Sequence, residues 1–118
     1  MSDPIPTIPG LDLADAMARL DFSLEEFKEL LAGFPAAVRE EMAKLEGVAA
    51  SGDMPPVRFA AHALAGLAGN YGAKHLWAAA KELESAAKEG QAGQVPVLME
   101  KIRHLASEAN AGVEGLLR

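Results

Sequence analysis

The 118 residues predict an all-α protein, an antiparallel up-down four-helix bundle with a short N-terminal capping helix. Three observations predict it. Apolar residues recur at i, i+3, i+4 and i+7 through four long segments. No stretch alternates apolar and polar residues with the period of two that a half-buried strand requires. Gly and Pro punctuation falls between the segments and leaves short connections.

Residues 1–10 hold three of the seven prolines and end in Pro9-Gly10, so they read as an extended lead-in or linker. The helical domain is expected to occupy residues 11–118. Residues 11–20 form a short helix with Leu13, Met17 and Leu20 on one side; Asp21-Phe22-Ser23 interrupts it. Ser23 and Glu26 have capping-box spacing, which starts the next helix. Leu24, Phe27, Leu31, Phe34, Val38, Met42 and Leu45 carry one stripe through Pro35. That continuity favours one helix kinked at Pro35 over the alternative of two separate helices. Residues 49–53 read as a loop, with Asp53 the N-cap of a helix whose first turn holds Pro55 and Pro56. Gly72 is placed as its left-handed C-terminal residue. A helix over residues 73–89 follows, striped by Leu76, Ala79, Ala80, Leu83 and Ala87 and stopped by Gly90. After a loop at 91–94, Leu98, Ile102, Leu105, Ala109, Val113 and Leu116 stripe a last helix over Val95–Leu117.

The central helix carries the least ordinary stretch, residues 57–71. Val57, Ala60, Ala61, Leu64, Leu67, Ala68 and Tyr71 fall on one face at 3.6 residues per turn. His62 points away from that face, and its outer neighbours are Arg58, Ala65, Gly66 and Gly69. A solvated face usually carries Glu, Lys or Gln. This one is nearly bare around one imidazole, although each helix-interior Gly costs about 1 kcal/mol against Ala. The pattern describes a histidine kept accessible to another macromolecule.

Bulk properties narrow the function. The chain suits one domain with a real core, half of its residues being hydrophobic. It has no apolar run long enough to span a bilayer, and its first residues lack the basic start and apolar block of a signal peptide. Cysteine is absent, which removes disulfides and thiolate chemistry and fits a reducing compartment; a cytoplasmic protein is expected. A net charge of −6 argues against nucleic acid and against anionic membrane, both of which demand basic surface. A protein partner with a basic or metal-bearing surface is easier to accommodate, and the chain is expected to be a monomer.

His62-Ala63-Leu64-Ala65-Gly66, then Gly72-Ala73, Leu76 and Leu83-Glu84, resemble the signature of histidine-containing phosphotransfer (HPt) domains. That pattern is approximately His-x-Leu-Lys-Gly, five variable residues, Gly-Ala, two more, Leu, and a later Leu-Glu. Upstream, Ile8-Pro9-Gly10-Leu11-Asp12 and the run Phe27, Leu30, Leu31, Phe34 resemble the same family, so the likeness covers roughly residues 8 to 117. The resemblance implies a four-helix bundle whose His62 is phosphorylated. The resemblance implies that this histidine exchanges the phosphoryl group with the aspartate of a response-regulator receiver domain, with such a receiver, a hybrid histidine kinase, or both as partners. It implies a carrier without intrinsic kinase activity and without a cofactor of its own, Mg²⁺ being expected on the receiver. Gly66 is implied as the small residue that admits the receiver, and Gly72 and Ala73 as the tight turn. The family's lysine three residues after the histidine is replaced by Ala65. Arg58, one turn before His62, and Lys88 on the next helix are the candidate replacement cations.

The chemistry fits the residues themselves. Imidazole, with an unperturbed pKa of about 6.5, is a good nucleophile near neutral pH and can carry a covalent intermediate. Phosphoryl transfer needs in-line approach and charge neutralisation more than acid–base machinery. The alternative is a non-transferring adaptor that docks receivers or a kinase without efficient transfer. Glu84 reads as a solvated or positioning group near His62, and Leu13 and Met17 as either core or a receiver-docking surface. His75 and His104 read as solvated, Trp77 as partial packing, and Glu25, Glu26, Glu29, Glu40 and Glu41 as solvated helix surface.

Overall fold

The computed structural model describes residues 8–118, and every regular element among them is helical. The first seven residues of the expected lead-in lie outside the described residues. Ile8 is already part of the packed domain: it is buried at 5% exposure and lies against Gly112 of the last helix, where a β-carbon would collide with it.

Helix α1 (Leu13–Leu20) starts where the Asp12 carboxylate accepts from the Asp15 amide at 3.0 Å. It ends at Asp21, whose left-handed backbone (φ 56°) returns its amide to the Ala18 and Met17 carbonyls. Its apolar side faces inward. Leu13 and Met17 are 2% and 9% exposed, so they are core and not the docking surface entertained for them.

Helix α2 (Leu24–Leu31) opens on the expected capping box, Ser23 with Glu26. The expected kinked helix is corrected to two. The chain breaks at Ala32-Gly33, and α3 (Phe34–Ser51) begins with Pro35 in its first turn. There the missing amide N–H costs nothing, whereas inside one continuous helix it would orphan the Leu31 carbonyl. Phe27, Leu31, Phe34 and Val38 are all buried, so the apolar stripe does run through the break. Helix α3 also continues to Ser51, through part of the loop expected at 49–53, and stops at Gly52 (φ 76°).

Helix α4 (Met54–Asn70) has Asp53 at its N-cap, but the aspartate side chain makes no capping bond. The turn after α4 uses Gly72 (φ 75°), and α5 (Lys74–Lys88) follows within three residues. A single 3-10 turn, Ala92–Gln94, precedes α6 (Val95–Leu117).

Helices α3, α4, α5 and α6 form a closed ring in which each packs on two others. The α4–α5 seam is the most extensive. Small side chains permit it: Ala61, Ala65 and Ala68 on α4, and Ala79, Ala80 and Ala87 on α5, are all buried. Phe34 of α3 meets Tyr71 edge-on, with ring centroids 5.0 Å apart, which anchors the end of α4. Arg103 clasps Glu46 through two 2.7 Å bonds, and Arg39 meets Glu114 at 2.5 Å, joining α6 to α3. No helix among the described residues is long and apolar enough to cross a membrane.

Candidate functional site

The site is built on the α4–α5 seam. Core residues Val57, Ala61, Leu64 and Ala68 fix the rotation of α4 by filling the inward face. That rotation turns His62 outward, with its side chain 73% exposed. Leu76, Ala79, Ala80 and Leu83 fix α5 in the same way, and Lys81, Glu84, Ser85 and Lys88 then share the flank that adjoins α4. Together with Arg58 and His62 they line an open cleft of about 360 Å³.

Glu84 organises the cleft. One carboxylate oxygen, Oε1, accepts from Lys81 Nζ at 2.7 Å, and the other, Oε2, accepts from His62 Nδ1. The Lys81 hydrogen bond is the main cause that holds the Glu84 carboxyl below the usual carboxylate range; partial burial opposes it and the His62 bond assists. An ionised carboxylate can only accept, so Nδ1 carries the ring proton. In the neutral ring the opposite nitrogen, Nε2, then holds the lone pair, and it makes no hydrogen bond among the described residues. The ring is therefore oriented, set in one tautomer and open at its nucleophilic end.

The residues expected around His62 separate into groups. Arg58, Lys88 and Glu84 do come together with His62 in the cleft. Gly66 is exposed, and nothing lies within 4 Å of where its β-carbon would stand. Two outer-face assignments are corrected. Ala65 is buried at 2% exposure, because it faces the seam. Gly69 is a packing contact: a β-carbon there would come 3.2 Å from Trp77 Cδ1, and its carbonyl accepts from Arg19 Nη2 at 3.0 Å. Trp77 itself is half-exposed. His75 and His104 are exposed and stand outside the cleft. Among the described residues no group of three or more His, Asp or Glu is arranged to hold a metal ion.

Three residues of the region escaped the sequence reading. Lys81 and Ser85 carry a weak signal, since they lie three residues before and one after Glu84 on a polar stripe. Phe59 is 73% exposed, one turn before His62. An aromatic residue off the apolar stripe of α4 was its signal.

The centre of the cleft is an outward imidazole held by a carboxylate on a helical scaffold, and comparison with known proteins gives the class. The model of the Hpt domain family matches residues 29–112, more than half of the chain and the whole of the cleft. The chain belongs to the Hpt domain family, the histidine phosphotransfer proteins of phosphorelays. A solved relative is histidine-containing phosphotransfer protein B (HptB) from Pseudomonas aeruginosa PAO1, whose crystal structure superposes with a TM-score of 0.82. The two share 26% sequence identity over 94% of this chain and 96% of that one. No curated protein matches the sequence.

Proposed function

We propose that His62 is the phosphoryl carrier of this chain and that it exchanges the group with the aspartate of a response-regulator receiver domain. The observation that carries the proposal is the Glu84–His62 hydrogen bond, which leaves Nε2 as the exposed lone pair. In the accepting direction Nε2 attacks the phosphorus of the aspartyl phosphate, in line with the leaving oxygen. The N–P bond forms, the P–O bond to aspartate breaks, and the electron pair leaves on the carboxylate. Nδ1 keeps its proton on Glu84, which stabilises the positive charge the ring acquires. The reverse step uses the same atoms, with Nε2 as the leaving group. Mg²⁺, expected on the receiver, would supply charge neutralisation at the aspartate. The chain acts as a carrier and not as a kinase, since a bound nucleotide has no part in this exchange.

Phe59, Ala63 and Gly66 lie on the exposed side of α4 beside His62 and form the surface a receiver covers. They take the docking role from Leu13 and Met17. The finer architecture belongs to the same proposal: an antiparallel up-down bundle of α3 to α6, with α1 as its cap. Short connections at 52–53 and 71–73 support it, as does the strap from the Asp12 amide to the Gly72 carbonyl at 2.6 Å. The proposed setting is a cytoplasmic monomer that meets a receiver or a hybrid kinase.

One observation favours the adaptor reading, namely that a buried alanine occupies the family's lysine position. A transfer assay separates the two. The chain is mixed with a receiver domain charged by acetyl phosphate, and acid-labile, base-stable phosphate is followed. The carrier reading expects label on the wild-type chain and none on His62→Gln. Docking without label supports the adaptor, and label on His62→Gln removes His62 from the role.

A further inference from the structure

We infer that Lys81 of α5 is the cation that makes the site tolerate a phosphoryl group, standing in for the cation that Ala65 cannot supply. The inference rests on the carrier reading of His62.

A phosphoryl group on Nε2 brings about two negative charges to a ring already held by the Glu84 carboxylate. Like charges at that range repel, so an unbalanced Glu84 would oppose the very step its hydrogen bond prepares. Lys81 Nζ, 2.7 Å from Glu84 Oε1, cancels that charge at its source. Its side chain is 42% exposed, so the ammonium has open space beside the cleft in which to turn toward phosphoryl oxygens. Arg58 and Lys88 line the same cleft but make no ion pair among the described residues. Of the three cations, Lys81 alone is already fixed to the group that holds the histidine.

Helix register supplies the second, independent line. Gly69 of α4 faces Trp77 of α5, and His62 faces Glu84. Seven residues back along α4 thus correspond to seven residues forward along α5, as they must where a three-residue turn folds one helix back along the other. In this register, three residues on from His62 stand opposite three residues back from Glu84. Those positions are Ala65 and Lys81. The small residue on one helix and the long cation on the other share one level of the seam. Ala65 is buried at this level and Lys81 is partly exposed, so the cation at this level comes from α5.

The test uses the isolated chain and potassium phosphoramidate, which needs no receiver. Nε2 of His62 forms the N–P bond, the P–N bond of the reagent breaks, and the leaving nitrogen departs as ammonia. The rate of phosphohistidine formation at His62 is read by ³¹P NMR in a His75→Gln, His104→Gln background carrying the native Lys81, Lys81→Met or Lys81→Arg. Lys81→Met is expected to react about tenfold more slowly, the scale of one charge-assisted hydrogen bond. Lys81→Arg is expected to recover most of the rate. A purely structural role would show instead as a lowered melting temperature in Lys81→Met and overturns the inference. Phosphorylation at His62 with the native Lys81, and equally fast with Lys81→Met, overturns the Lys81 inference alone. A chain with the native Lys81 that takes no phosphoryl group on His62 overturns the carrier reading and this inference with it.

Discussion

The Asp12 carbonyl oxygen lies 2.5 Å from the point where a β-carbon on Gly72 would stand, while the Asp12 amide donates to the Gly72 carbonyl at 2.6 Å. The turn that folds α5 back along α4 is therefore pressed against the start of α1, with no room for a side chain. Gly72 also needs φ +75°. Gly72→Ala is expected to lose about 2 kcal/mol or more, from the left-handed backbone and the collision together. Urea denaturation measures it, and an unchanged midpoint would show that the turn relaxes freely.

Gly66 presents the opposite case. No atom lies within 4 Å of its missing β-carbon, so Gly66→Ala meets nothing within the chain. Helix propensity alone should then raise stability by about 0.8–1 kcal/mol. Gly66→Gln, with a longer side chain over the same spot, should slow transfer from a phosphorylated receiver by about 10²-fold, the scale of displacing reacting groups by an ångström. Reaction with phosphoramidate should be unchanged. A Gln variant that transfers normally would take Gly66 out of the receiver's footprint.

Phe59 is the large apolar side chain nearest in sequence to His62 that is exposed, at 73%. Its removal exposes no core, so Phe59→Ala should leave stability within about 0.5 kcal/mol. As an aromatic anchor it should instead weaken receiver binding by about tenfold. Titration calorimetry with a receiver domain checks the binding, and equal affinities would move the docking surface elsewhere.

The pH response of the cleft follows from Glu84, whose carboxyl is held below its ordinary value of 4.5, first by Lys81. A depressed carboxyl contributes stability that is present above its unfolded pKa and is lost as pH falls through its folded pKa. The Glu84 contribution is therefore whole at neutral pH and disappears only below about 4.5. Glu46, depressed by Arg103, behaves in the same sense between α3 and α6. Lys81→Met should move the Glu84 midpoint upward toward 4.5. Carboxyl-detected NMR titration reads that shift, and a Glu84 midpoint that stays put would mean another group sets it.

Much of this was legible in the residues. The Ser23–Glu26 box, Gly72 and Gly90 marked helix ends because capping and positive φ are local demands of the backbone. The outward turn of His62 was legible too, because one apolar stripe fixes the rotation of α4. The break before Pro35 was not, since two helices packed on the same core share one apolar phase. Leu13 and Met17 were ambiguous because a stripe on a short helix does not tell whether a core or a partner covers it. Ala65 was misassigned for a related reason: α4 is covered by α3 on one flank and α5 on the other, which widens its buried arc.

The His62 surroundings divide along the same line. Composition, periodicity and punctuation by themselves determined an all-helical chain with one histidine on a stripped helix face, and the motif spacing resembled a phosphotransfer family. Only the tertiary structure decided how the charges are arranged, with Glu84 holding Nδ1 and Lys81 pairing with Glu84. Glu84 and Lys81 lie 22 and 19 residues further along the chain, on another helix. Their place beside His62 depends on the turn at Gly72 and on alanine packing along the seam. Register between two helices is a property of their contact and is encoded in neither helix alone. Lys81 joins the site only through that contact, by its ion pair with Glu84.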